Sequence, residues 1–135
     1  MSIAAYKRTI IETEAPRQIE RRILAQVTGQ LEQHQEKFDA SGDLSERLSL
    51  LAGDLRACLW DNEQVWLMLR SDLSEPENAL PPQLRAGLLS IALWIERQTN
   101  LVMRGTGNIG PLVEVNRSII RGLAGDAGTA ELQEA

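Results

Sequence analysis

The chain has 135 residues, which suits one domain able to bury about 68% of its unfolded surface. Only 43% of residues are hydrophobic and 4% aromatic, so the core must be largely aliphatic, and a formal charge of −5 argues against a phosphate-backbone footprint even with twelve arginines present. One cysteine (Cys58) excludes an internal disulfide, and one histidine (His34) excludes a two-imidazole relay or a Cys/His zinc set.

The segment Met1–Arg8 has no apolar signal-peptide core, so the plain reading is a reduced, cytoplasmic protein. Ser2 to Ile11 reads as a short N-terminal helix, with Ile3, Tyr6 and Ile10 at three- and four-residue spacing. A helix this short needs docking to persist. Thr13-Glu-Ala-Pro-Arg then reads as a fresh helix start, with Pro16 in the first turn. The helix runs to about Phe38, with Ile19, Ile23, Leu24, Val27, Leu31 and Phe38 on one side and His34 in the same arc. Ser41-Gly-Asp43 is the turn that follows.

Leu44, Leu48, Leu51, Leu55, Leu59, Trp66, Leu69 and Leu73 keep one phase at 100° per residue, which predicts a single long helix from about Asp43 to Leu73. Its weakest point is Gly53-Asp54. Asn62 lies within this apolar stripe, whereas Trp60 and Leu67 lie one above the other on the opposite side. Ser74-Glu-Pro-Glu-Asn-Ala-Leu-Pro-Pro is a rigid connector, and its paired prolines open the next helix.

That helix, Pro82 to Arg104, is the stretch around which the chain should be organised. Leu84, Leu88, Ile91, Ile95 and Val102 form one stripe, and Leu89 and Leu93 lie on the other side among Arg85, Glu96 and Arg97. A helix apolar on two sides must be packed by several others or keep a face for a partner. The three charges and the lack of a charge-free run argue against a membrane span. Thr106–Gly110 reads as a flexible loop, and its resemblance to G-x-G-x-x-G fails because it follows a helix, not a strand. Pro111 sits at N1 of a last helix to about Ala124, with the stripe Leu112, Val115, Ile119 and Leu123 and with Asn116 inside it. Residues 125–135 are small, acidic and aperiodic, which predicts a disordered tail after a single helical domain at 1–124. The fold expected is therefore an all-α bundle of about four to five helices.

No constellation suits catalysis. Cys58 lacks a histidine partner and fits a small core residue; His34 fits a structural or solvent-edge role. Glu32/Glu36 and Asp72/Glu75/Glu77 fit a solvated surface better than a metal site, and Arg21-Arg22 beside Glu20 fits a solvated face. No enzyme activity, cofactor, metal or small-molecule substrate is expected. Asn62 and Asn116 have two readings: a core hydrogen bond that sets helix register, or contacts to a partner's backbone. Trp60 and Leu67 are candidate exposed anchors, and Trp94 a third with a stronger case for the core. More apolar helix surface than a small bundle hides predicts helix-in-groove recognition or self-association.

Several segments resemble the FlaF family of flagellar biosynthesis proteins. They are Tyr6 with Thr13-Glu-Ala-Pro-Arg-Gln-Ile-Glu20, Val27-Thr28 and Leu31; Asn62 and Trp66; Asn78-Ala-Leu-Pro81 with Leu84-Arg85; Ser90-Ile-Ala-Leu-Trp94; Val102-Met-Arg-Gly105; and Pro111 to Leu123. The resemblance covers about Ala4 to Gly125. It implies a cytoplasmic, non-enzymatic factor for flagellin production and export, which binds flagellin as a secretion chaperone and works with the translation regulator FlbT. Trp60, Leu67 and Trp94 would then anchor a flagellin helix, with Asn62 and Asn116 setting register. The rival is a post-transcriptional regulator acting through FlbT or flagellin messenger RNA, for which the acidic charge offers no direct contact surface.

Overall fold

The computed structural model describes residues 3–123, with side chains from 18 to 122. The elements are α1 (Ile3–Ala40), α2 (Leu44–Leu50), a π-helical turn (Leu51–Leu55), α3 (Arg56–Ser74), α4 (Pro82–Met103) and α5 (Gly110–Leu123), with no strand among the described residues. The π turn joins α2 and α3 into one bent rod, so the described residues form a bundle of four rods. The expected tail at 125–135 lies outside the described residues.

The separate short helix expected before Thr13 is absent. α1 runs uninterrupted through Pro16. A proline's φ is already helical, so its inclusion costs one hydrogen bond and a crowded carbonyl without forcing a break. The long apolar series from Leu44 does form one rod, and it bends where its weakest residue predicted: Gly53 has φ −85° and ψ −143°, outside the helical region. The wider π turn takes up additional chain and offsets the phase of α2 from that of α3. Leu51, Leu55, Leu59, Trp66, Leu69 and Leu73 are therefore buried, while Leu44 and Leu48, expected in the same stripe, stand about half exposed.

α2 instead turns Arg47 inward, where it is 8% exposed. Its guanidinium spends all five N–H groups on neutral oxygens. Nε donates to the Ser41 carbonyl (2.9 Å), Nη1 to the carbonyls of Gly105 and Gly107 (3.1 and 3.0 Å), and Nη2 to the Asp39 carbonyl (3.4 Å) and Asn108 Oδ1 (2.7 Å). The cation also lies 4.6 Å from the centroid of the Phe38 ring. Beside it, the Asp39 carboxylate accepts from the backbone N–H groups of Ile109 (2.7 Å) and Gly110 (2.8 Å), capping α5 from the end of α1. The α4–α5 link is accordingly not the flexible loop expected. Gly105 takes the left-handed φ of +80° that ends α4, Ile109 is fully buried, and a Cβ on Gly105 would sit 2.6 Å from Leu44 Cδ1.

α1 and α3, not α4, are the central elements. They pack on each other, α1 also along α5 and α3 along α4, while α4 touches α5 lightly. α4 turns Ala92, Ile95, Thr99 and Val102 inward and leaves Leu84 49% exposed. At the far end the α3–α4 connector is clasped: Arg85 donates to the carbonyls of Leu73 and Glu75, and Asn78 Nδ2 to the Asp72 carbonyl and carboxylate.

Replacing Arg47 by Met leaves several buried carbonyls without donors, and we expect a loss of roughly 3 kcal/mol in urea unfolding. Arg47→Lys should recover little of this, because a single ammonium cannot span five acceptors arranged around a planar fork.

Candidate functional site

Two features of the rods bear on function, one sealed and one open. The sealed feature is a polar cluster at the middle of the bundle. Asn62 and Asn116 are both completely buried and come together: Asn116 Nδ2 donates to Asn62 Oδ1 (2.7 Å) and to Thr28 Oγ1 (3.0 Å). Trp66 Nε1 donates to Asn116 Oδ1 (2.9 Å), and the Thr28 hydroxyl donates to the Leu24 carbonyl (2.6 Å). One amide thus ties α1, α3 and α5 together at a single level. Asn62 Nδ2 is left without a partner among the described residues. With no exposed surface, neither asparagine reaches a partner's backbone; the cluster sets helix register, as a core amide does in a coiled coil. Thr28 and Trp66 belong to this cluster, and the sequence reading did not assign them to it.

The open feature is the outward side of α3 and α4. Trp60 is 56% exposed and Leu67 47%, seven residues apart on one side of α3 and so about 10 Å apart along its axis. Met68 beside Leu67 is also half exposed. Sequence reasoning missed Met68, although it falls within 100° of Leu67 on the same helix. A shallow groove runs between the two helices, floored by Trp66, Ala92 and Ile95 and rimmed by Glu63, Leu67, Arg70 and Glu96. Arg70 and Glu96 pair across it at 3.5 Å, both half exposed, so the bridge contributes at most about 1 kcal/mol. On α4, Leu93 stands exposed one turn before Glu96. Trp94, the third expected anchor, is half-buried and packs against the core. Covering the exposed part of each of Trp60, Leu67, Met68 and Leu93 would contribute on the order of 1 kcal/mol.

Family comparison adds what geometry alone does not. The model of the family described as flagellar protein FlaF matches residues 2–123. The chain belongs to the FlaF family. No curated protein and no solved structure matches it. Seen against the fold, several residues that carry the FlaF resemblance have structural work. Asn62, Trp66, Thr28 and Asn116 form the buried cluster, Asn78 and Arg85 clasp the connector, and Gly105 ends α4. Trp60 and Leu67 are not among them, and they stand in solvent.

Cys58 is half-buried, and its thiol is pushed up from its ordinary value by that burial and by the nearby carboxylates of Asp61 and Asp54, which makes it a poor nucleophile. Among the described residues no three His, Cys, Asp or Glu side chains come together, and no helix is long and apolar enough to cross a membrane.

The two features should respond oppositely to substitution. Asn116→Ala strands the Trp66 indole N–H, Asn62 and Thr28, and should cost about 3 kcal/mol in chemical unfolding. Trp60→Ala and Leu67→Ala should each stay within about 0.5 kcal/mol of the parent.

Proposed function

We propose that this FlaF-family chain is a cytoplasmic binding factor without catalytic activity that receives an amphipathic helix of flagellin on the α3–α4 face and escorts it to export. The observation that carries the reading is the pairing of flagellar family membership with an α3–α4 groove rimmed by half-exposed Leu67, on two helices that also leave Trp60, Met68 and Leu93 half exposed. Flagellin's terminal segments are amphipathic helices that self-associate when left bare. A groove between two helices accepts such a helix through anchors spaced one and two turns apart, and the seven-residue step from Trp60 to Leu67 matches two turns. The Arg70–Glu96 bridge across the rim supplies one charge of each sign beside the apolar strip, suited to the polar edge of an amphipathic partner.

In this mechanism the buried Asn62–Asn116 cluster holds α3 in register with α1 and α5, so the face is presented by a rigid support. A preformed face limits the ordering cost to the incoming segment, which gains its helix on binding. Trp60 is the best candidate for the dominant anchor, because it carries the largest exposed apolar area of the four and tryptophan is over-represented at interface hot spots.

Calorimetric titration of a flagellin terminal segment tests the reading. Trp60→Ala and Leu67→Asp should each weaken binding by at least about tenfold with native helicity retained. Unchanged affinity in both would remove this face from the site. Affinity should change little between low and moderate salt; a fall of several orders of magnitude would instead favour action through flagellin messenger RNA.

A further inference from the structure

The α3–α4 groove is lined in a pattern that fixes how a helix can sit in it. Its α3 wall is Glu63, Trp66, Leu67 and Arg70, positions i, i+3, i+4 and i+7. Residues at those steps are neighbours on a helix surface and enclose a diamond. Such a diamond is the hole that takes a side chain of a neighbouring helix in knobs-into-holes packing. The α4 wall repeats the first three steps with Ala92, Ile95 and Glu96. The fourth position on α4, Thr99, is fully buried and donates its hydroxyl to the Ile95 carbonyl (2.7 Å), so it belongs to the interior and not to the groove. Diamonds of this kind are filled by helices inclined about 20° to one another, not by helices that cross steeply.

Ala92 sets the depth of the hole. It is the smallest side chain of the lining, on a floor shared with Trp66 and Ile95. An alanine that let two helix backbones close up would leave no room above it; here room remains. Its neighbours on the floor are not free to fill that room. The Trp66 indole is tied to Asn116 through its N–H (2.9 Å), and Ile95 is buried and branched at Cβ. The enclosed part of the space holds little more than one water-sized body. That suits the end of one aliphatic side chain and is too small for an aromatic ring. The mouth is apolar at Leu67 and charged at Glu63, Arg70 and Glu96, which suits an incoming helix with polar residues flanking the inserted one.

We infer that Ala92 is the specificity-determining residue of the α3–α4 face: the space above it receives the tip of one leucine or isoleucine of the bound helix, which lies along α3 and α4 as a further rod of the bundle. The inference rests on the reading of this face as a docking surface and adds what the face selects. Trp60 and Leu67 supply contact area that any apolar helix face can use. The hole accepts one aliphatic tip at one place, and so sets the register of the cargo helix.

Ala92→Val fills the space with added methyl groups. Calorimetry against a flagellin terminal segment should show binding weakened by at least about tenfold, with helicity and urea midpoint retained. In the segment, each leucine and isoleucine is replaced in turn by Ala and by Trp. At one position both replacements should weaken binding to the unaltered chain by at least about tenfold, because Ala leaves the hole empty and Trp does not enter it. At that same position Ala should weaken binding to the Ala92→Val chain little further, since the knob has already lost its hole. An Ala92→Val chain that folds and binds like the parent overturns the inference, as does a segment that tolerates Trp at every aliphatic position. If Ala92→Val does not fold, the scan of the segment decides alone. Weakened binding in Leu67→Asp alongside parent-like binding in Ala92→Val removes the hole and leaves the docking face. Parent-like binding in Trp60→Ala, Leu67→Asp and Ala92→Val together removes the face itself.

Discussion

The fold depends on one buried cation. Arg47 stands where the turn between α1 and α2 meets the turn between α4 and α5, and its five N–H groups gather oxygens from both. These two turns are far apart in sequence, and each exposes carbonyls that its own helices leave unpaired. A planar fork that stays charged is among the few side chains able to answer so many acceptors from one point. The Asp39 carboxylate completes the junction by holding the start of α5, so that one end of the bundle is closed by a cation and an anion, each used mainly on backbone.

The helices carry two kinds of polar economy. Inside, the Asn62–Asn116–Thr28–Trp66 cluster replaces apolar packing with directional bonds, which resist slippage of one rod along another. Outside, the rods leave aliphatic and indole surface uncovered along the α3–α4 groove. A rigid register and a bare face are complementary: the first keeps the anchors of the second at fixed spacing. Trp66 belongs to both, since its ring floors the groove while its N–H is tied to Asn116.

Much of this architecture was legible in one dimension. Helical period, paired prolines before α4, Gly105 after it and Pro111 in the first turn of α5 gave the rods and most of their bounds, because capping and periodicity are local physics. Gly53 marked the bend for the same reason. The candidate anchors Trp60 and Leu67 were visible as apolar positions opposite a continuous stripe. Arg47 was missed, although an arginine flanking the Leu44–Leu55 stripe was a signal that something must neutralise its burial. Met68 was not legible as an anchor because it lies 100° around α3 from Leu67, to one side of the Trp60–Leu67 line.

What the sequence settled alone was most of the rods, where they stop apart from the false break before Thr13, and most of their apolar sides, since these follow from dihedral preference and spacing within a few turns. Tertiary structure decided the rest. It put α1 and α3 rather than α4 at the centre, offset α2 so that Arg47 faced in and Leu44 and Leu48 faced out, and drew two distant asparagines into one bond. Such outcomes turn on which faces meet across the bundle, and on whether a buried donor finds its acceptor, and no local pattern encodes the meeting.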